Sequence, residues 1–406
     1  MKKDLNNLMK KMKIDALYAE GKSSSNPTMY YLLNGANIHG MYIKKRGKRA
    51  WVIHSPIERE VAAQTGHKLI SVNHFEPQKI FSRQQDRMKA NAMYLNAVLT
   101  DLNVKGRVAF YGCTSFGAGY NILRKLLQMN RHIKLHYDAG KDILTAARET
   151  KDYDEIKRIK QVGRAVAAAF RDTLKTVQAM KVKKGIIMKD RRRKLLIGDL
   201  RALLHRSMFE RGIVSTEGMI VAQGRDAGVP HNAGRDREAV ALGKTIVFDI
   251  FPRERGGGYF FDFTRTICFG HAPEHIKKVY KLVADAQDYA FSLFRSGTRC
   301  NKIGKAVCEF FEKAGHTTLL SDSKTQTGYC HSLGHGLGLD IHESPSFSLY
   351  GTNKDTLRPG HVFTNEPGLY YPQKGFGVRL EDVVFINKKG KPVNLTRSAR
   401  KLVIEM

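Results

Sequence analysis

Short apolar runs separated by amphipathic stretches mark residues 1–145 as an α/β domain. Leu5, Leu8, Met9 and Met12 form a basic amphipathic start, and Asp15–Tyr18 follows with the pattern of a short buried strand. A Ser/Asn/Pro loop, Ser23 to Pro27, precedes the apolar run Met29–Leu33. Met41–Ile43 and Ala50–Ile53 flank a Lys/Arg turn containing Gly47, which predicts a hairpin. Arg107–Tyr111 and Ile133–Tyr137 read as strands separated by a helix around Ile122–Met129. The single tryptophan, Trp51, is expected in the core, and no catalytic constellation stands out in this half.

The boundary falls near Thr145–Lys151, so a second domain is expected over 146–406. Asp152 followed by Glu155 is a capping-box pattern. Ile156, Ile159, Val162, Val166, Phe170, Leu174 and Val177 then recur at helical spacing, which predicts a long opening helix. Leu195 to Met208 reads as another amphipathic helix, Pro273 opens one that runs to Leu293, and a shorter one covers Lys302–Ala314. Met219–Gln223 and Thr245–Phe248 are strand-like, and from Tyr329 onward the chain consists of glycine-punctuated apolar strands.

Val247–Thr266 is the stretch that organises this domain. It reads as two strands folded back at Gly256, Gly257 and Gly258, where glycine supplies the positive φ of a tight hairpin. Asp249 interrupts one apolar run and Asp262 the other. With the turn centred between Arg255 and Gly256, the two carboxylates become cross-strand neighbours, about 5 Å apart at Cβ. Two like charges among Phe, Ile and Tyr are very unfavourable unless something positive lies between them, and a divalent metal answers that need. Further on, Glu366 interrupts an apolar strand before Pro367, Glu381 sits in Val-Arg-Leu-Glu-Asp-Val, and His335 and His342 flank a glycine-rich segment. Carboxylates with one imidazole suit a hard or borderline dication, and bridging carboxylates can hold two ions about 3.5–4 Å apart. Each of these residues alone has a plain reading as a solvated charge, a structural histidine or, for Glu381 beside Arg379, a salt bridge. His331 and His335 have the spacing of a helical zinc pair, but Gly334 and Gly336 oppose a helix and the motif's glutamate is absent. It is the combination on successive strands that points to a metal site.

Composition narrows the class without deciding the function. The chain has 406 residues, 42% hydrophobic and 26% charged, as expected of a globular protein with room for two domains. No uncharged apolar run approaches the roughly 20 residues of a membrane span, and no leader segment is expected. Cys113, Cys268, Cys300, Cys308 and Cys330 are scattered and odd in number, which suits a reducing, cytoplasmic compartment. The net charge of +31 favours anionic surfaces, nucleic acid among them, yet charge speaks to association and not to fold. The densest basic run, Lys181–Lys194, lacks interleaved aromatic residues for base stacking and reads as a solvated loop or helix face.

With these motifs the second domain resembles the pita-bread metallopeptidases: aminopeptidase P (Xaa-Pro aminopeptidase), prolidase, methionine aminopeptidase and creatinase. The resemblance runs through Asp249 and Asp262-Phe-Thr-Arg-Thr, His335-Gly-Leu-Gly-Leu-Asp-Ile-His342-Glu, Asn365-Glu-Pro-Gly-Leu-Tyr370 and Gly377-Val-Arg-Leu-Glu-Asp382. Residues 13–60 also resemble the N-terminal domain of the proline-specific members. The fold this implies is a creatinase/prolidase-type α/β N-terminal domain followed by an α+β pita-bread domain with a curved antiparallel sheet. By resemblance, Asp249 chelates one metal, Asp262 and Glu381 bridge both, and His335 and Glu366 hold the second. His231 and His342 match histidines that bind substrate and move protons. His331 matches a residue lining the proline pocket, and Tyr370 and Arg379 match residues on the substrate side. Two departures are visible: the Asp249–Asp262 interval is longer than in aminopeptidase P, with the excess in the Arg/Gly turn, and Lys181–Lys194 looks inserted.

The activity so implied is hydrolysis of an N-terminal Xaa-Pro bond through a hydroxide bridging two divalent ions. Mn²⁺ is expected first, with Co²⁺, Zn²⁺ and Fe²⁺ as alternatives. Glu366 would take the proton of that water and pass it to the leaving nitrogen. The expected partner is a peptide with proline in second position, and a homodimer is expected by analogy. A prolidase acting only on Xaa-Pro dipeptides is the nearest rival and needs a cationic clamp for the free carboxylate, for which Arg379 is the candidate. A catalytically silent scaffold that binds nucleic acid or an acidic partner is the distant one, disfavoured by the intact ligand set.

Overall fold

The computed structural model describes residues 4–112, 115–138 and 140–406; Cys113 lies outside them. The chain divides into two compact units, the first comprising the chain up to Arg148 together with Gly256–Gly258, the second Glu149–Arg255 and Tyr259–Met406. The first unit is built on a six-stranded sheet in the order 68–71, 51–54, 39–45, 16–22, 106–112 and 133–135. The middle strands 16–22, 39–45 and 51–54 pair antiparallel, while 16–22 with 106–112 and 106–112 with 133–135 pair parallel. Helices Arg87–Asp101 and Phe116–Met129 cover it, burying Val98, Leu99 and Leu126 against Tyr18, Ile43 and Val108. Trp51 packs against this core as expected but is only half-buried, with the ammonium groups of Lys45 and Lys68 at 5.3 and 5.2 Å from its ring centroid. An indole face attracts cations, so a half-exposed position beside two lysines suits it.

The second unit opens with the 26-residue helix Tyr153–Gln178, whose Asp152/Glu155 capping box forms as expected. Its buried face lies behind the aspartate hairpin, where Phe170 meets Phe248 and Phe263 at 5.3 Å each. Gly163 permits this approach, because a Cβ there would lie 2.4 Å from the Phe261 ring. A four-stranded sheet holds 220–223, 246–249, 264–269 and 403–404, and a five-stranded sheet holds 343–346, 335–336, 362–365, 382–386 and 392–394. An antiparallel bridge between Thr264 and Glu381 joins the strand ends of the two sheets. Helices Glu274–Leu293 and Cys300–Lys313 pack on the far side over Phe294, Phe347 and Phe363. Among the described residues no helix is long and apolar enough to cross a membrane.

Two local expectations change. Asp249 pairs with Thr264 in the ladder and not with Asp262. Gly256, Gly257 and Gly258 all have positive φ (+87, +105 and +123°), so the turn centres between Gly256 and Gly257. That is one residue later than the midpoint of the aspartates, and each residue of turn movement shifts the pairing by two. A shift of two preserves the facing of side chains, so both carboxylates still point the same way. The Lys181–Lys194 segment contains neither a loop alone nor a helix: Lys181–Lys183 and Ile186–Met188 form a β-hairpin, turned at Lys184 and Gly185, both with positive φ. Its basic side chains are exposed.

Candidate metal centre and active site

Each ligand candidate sits where a strand ends. Asp249 closes strand Ile246–Asp249, Asp262 precedes strand Thr264–Phe269, and His335 lies on the short strand His335–Gly336. Asn365 pairs with Asp382, so continuing that ladder sets Glu366 opposite Glu381. The strand ends here because Pro367 cannot donate to a ladder, and alternation puts Glu366 on the same face as Thr364. His231, Asp249, Asp262, His331, His335, His342, Glu366, Arg379 and Glu381 all line one cavity of about 790 Å³. Tyr370 stands behind its wall, fully buried.

The polar atoms at the centre of this cavity are short of donors. His335 Nδ1 lies 3.0 Å from the Gly336 carbonyl oxygen. A carbonyl can only accept, so Nδ1 carries the proton and Nε2 presents a lone pair. That lone pair points at Asp262 Oδ2, 3.6 Å away, and Glu366 Oε1, 3.4 Å away. Burial holds the His335 ring far below its ordinary range, at about 3, with the neighbouring His342 ring adding to the effect. The ring is therefore neutral and cannot answer the carboxylates. Atoms of Asp262, His335 and Glu381 lie within 4.8 Å of one another. Thr264 Oγ1 donates to Glu381 Oε2 at 2.7 Å, and among the described residues no partner reaches Oε1. Thr364 Oγ1 donates to Glu366 Oε1 at 3.0 Å. Burial first, then repulsion between the carboxylates, raises Asp262 and Glu381 well above the usual range and Glu366 to about 8. Acceptors face acceptors, an arrangement that protons or cations alone can satisfy. A divalent metal fits this donor set of oxygens and one imidazole nitrogen.

A second chain of hydrogen bonds borders the first. Arg379 is buried, with Nη2 on Asp249 Oδ2 at 2.6 Å and Nη1 on the Tyr370 hydroxyl at 2.8 Å. His331 donates through Nδ1 to the Ser332 carbonyl at 2.8 Å, so its Nε2 accepts from Tyr370 at 2.8 Å. Burial and the Arg379 charge hold His331 near 3. The salt bridge considered for Glu381 is thus made by Asp249, and Arg379 is not free to clamp a carboxylate. His342 packs against His335 with ring centroids 4.2 Å apart and planes tilted by 58°, and burial lowers its pKa. Thr264 and Thr364 were not among the expected site residues. Each lies two positions from a ligand candidate, Asp262 or Glu366, and the alternation of a strand puts it on the same face.

Comparison with known proteins identifies the family. Residues 157–388 match the model of metallopeptidase family M24. The chain belongs to that family. As a member, it is a metallo-exopeptidase that works with divalent metal ions. An Xaa-Pro dipeptidase of Pyrococcus horikoshii is 26% identical over 399 residues, 97% of this chain and 96% of its own. Among solved structures, the X-Pro aminopeptidase of Thermotoga maritima aligns with TM-score 0.75 at 24% identity, covering 98% of this chain and 100% of its own. The Xaa-Pro dipeptidase of Bacillus anthracis aligns with TM-score 0.76 at 20% identity, covering 100% and 98%. These structures share the fold: an α/β N-terminal domain followed by a pita-bread domain.

Proposed function

We propose that the protein is an Xaa-Pro aminopeptidase whose metals are held by Asp249, Asp262, His335, Glu366 and Glu381. The commitment of Arg379 supports the aminopeptidase over the dipeptidase reading. It is the one Lys or Arg among the described cavity residues, and it is spent on Asp249 and Tyr370. A dipeptide's carboxylate would enter this unit's cavity without a cationic partner, which is costly, whereas an extended peptide brings no charge there. The dipeptidase reading is favoured by the names of the relatives from Pyrococcus horikoshii and Bacillus anthracis.

Divalent cations in the acceptor cluster supply Lewis acidity, polarising the scissile carbonyl and acidifying water near neutral pH. The protein's own groups do the rest. Glu366 accepts the proton of the attacking water and delivers it to the proline nitrogen. That nitrogen has no N–H in the peptide, so it leaves only once protonated. His231 and His342 face the cavity and donate to the carbonyl oxygen as negative charge develops on it. His331 has both ring nitrogens engaged, so it shapes the proline pocket and transfers no proton. Metal content and hydrolysis of Ala-Pro and Ala-Pro-Ala, before and after EDTA and Mn²⁺, test the proposal. Metal-dependent release of alanine from the tripeptide is expected. Activity confined to the dipeptide would make the protein a prolidase, and no turnover after reconstitution with any divalent metal would refute the Xaa-Pro reading.

A further inference from the structure

Glu217 lies in the loop that leads into strand Ile220–Gln223 and lines the catalytic cavity with its side chain exposed. Every other carboxylate of that lining outside the acceptor cluster is occupied. Asp249 is held by Arg379, and Glu343 by Lys151 Nζ at 2.7 Å and by the backbone N–H groups of Leu339 and Asp340. Among the described residues no hydrogen bond or ion pair reaches Glu217. Its charge instead acts on the His342 ring.

Apolar side chains share this cavity with Glu217. Ile220 stands opposite Asp249 in the ladder, and Ile341 and Phe251 face the same cavity. Glu217 lies in a bend three residues before Ile220, with Gly218 between them at φ +89°. Apolar surface in the same cavity as a carboxylate without a hydrogen-bond partner suits a long cationic side chain, which lays its methylenes on apolar surface and keeps its charged head in water. The net charge of +31 repels cationic peptides at a distance. That field is screened beyond about 8 Å at physiological salt, so inside the mouth the nearest carboxylate decides.

We propose that Glu217 selects substrates whose N-terminal residue is lysine or arginine, an inference that rests on the Xaa-Pro reading above. Glu217 then pairs with the side chain of the residue released, while the acceptor cluster handles the scissile bond. The contact exists equally in the ground and transition states, so it acts on KM more than on kcat.

The test is steady-state hydrolysis of Lys-Pro-Ala, Met-Pro-Ala and Glu-Pro-Ala, and of the matching dipeptides, by the Mn²⁺-reconstituted full chain. Wild type should prefer lysine over the near-isosteric methionine, with the preference shrinking at high salt. In Glu217→Gln the ratio of kcat/KM for lysine over methionine should fall about fivefold, the size of an exposed charge pair, through KM. Glu217→Lys should raise the relative rate on Glu-Pro-Ala. Turnover with an unchanged lysine-to-methionine ratio in both variants overturns the assignment. So does an equal loss on all substrates, which would place the α-ammonium group at Glu217. Failure of wild type to release the first residue from any Xaa-Pro peptide refutes the underlying reading, and the selectivity falls with it.

Discussion

Arg265 with Asp382, and Asp262 with Glu381, are buried charged groups drawn from the same two segments of chain and pointing to opposite faces. The Arg265 guanidinium reaches Asp382 Oδ1 at 2.8 Å, the Glu381 and Thr264 carbonyls at 2.8 and 2.9 Å, and the Ser398 carbonyl at 2.9 Å. Asp382 takes a further bond from Asn394 at 2.8 Å. One face of the segments therefore closes on itself, donor against acceptor and charge against charge. On the other face Asp262 and Glu381 meet a neutral histidine and another carboxylate, with Glu381 Oε1 unmatched. Similar burial and similar residue types thus serve two ends. A balanced group holds the sheets together, and an unbalanced one marks where a ligand must come.

The sharpest way to break this comparison is to neutralise one member of each group. Asp262→Asn keeps the shape but removes a charge proposed to bind metal. It should lower turnover about a thousandfold or more and empty the centre of metal by elemental analysis, while the metal-free protein melts no lower than wild type. Arg265→Leu should do the reverse: a broken buried pair costs about 3–5 kcal/mol, so the melting temperature should fall by about 10 °C. The surviving folded fraction should still bind metal. If Asp262→Asn unfolds the protein, or Arg265→Leu leaves its stability intact, the distinction between the two faces is wrong.

A finer cut lies between the faces, at Thr264. Its hydroxyl donates to Glu381 Oε2 and its backbone pairs with Asp249, so Thr264→Val orients the carboxylate less firmly without changing any charge. Loss of such a supporting bond should weaken metal affinity by about 10–100-fold, read from activity against buffered Mn²⁺, with saturated turnover reduced much less. An unchanged affinity would show that the strand alone orients Glu381.

What the sequence made legible follows the same division. Asp249, Asp262, Glu366 and Glu381 could be found because a charge inside an apolar strand is costly, and His335 because it shares a glycine-marked segment with His342. The partners of these residues were harder. Nothing local in the sequence tells Arg379 to take Asp249 over Glu381, because that choice depends on how strands far apart in the chain come together. The register of the hairpin slipped by two because three consecutive glycines leave the turn centre open. The slip was harmless to the site, since only an odd shift would have turned Asp262 away. Arg265 was legible only as part of a motif, and its role in closing the balanced face came from the structure.

The imbalance should also be visible without any mutation, as a pH dependence of the metal-free protein. Burial and like charges raise Glu366 from 4.5 to about 8, and they raise Asp262 and Glu381 as well. A carboxyl with a raised folded-state pKa binds more protons folded than unfolded, so it stabilises at low pH and loses that contribution as pH rises through the folded value. His331 and His335, lowered from 6.5 to about 3, act in the opposite sense, but only below 6.5, where the unfolded chain takes up their protons. Between about 6.5 and about 8 the carboxylates act alone, and the melting temperature of the EDTA-treated protein should fall by a few degrees across that window. Bound metal replaces the protons as counter-charge, so the reconstituted protein should show a flatter profile. Asp262→Asn should flatten the metal-free profile too, by removing one of the repelling charges. A metal-free melting temperature that is constant or rising from pH 6.5 to 8 would mean that the acceptor cluster is relieved from within, and that its two faces differ less than their hydrogen bonds indicate.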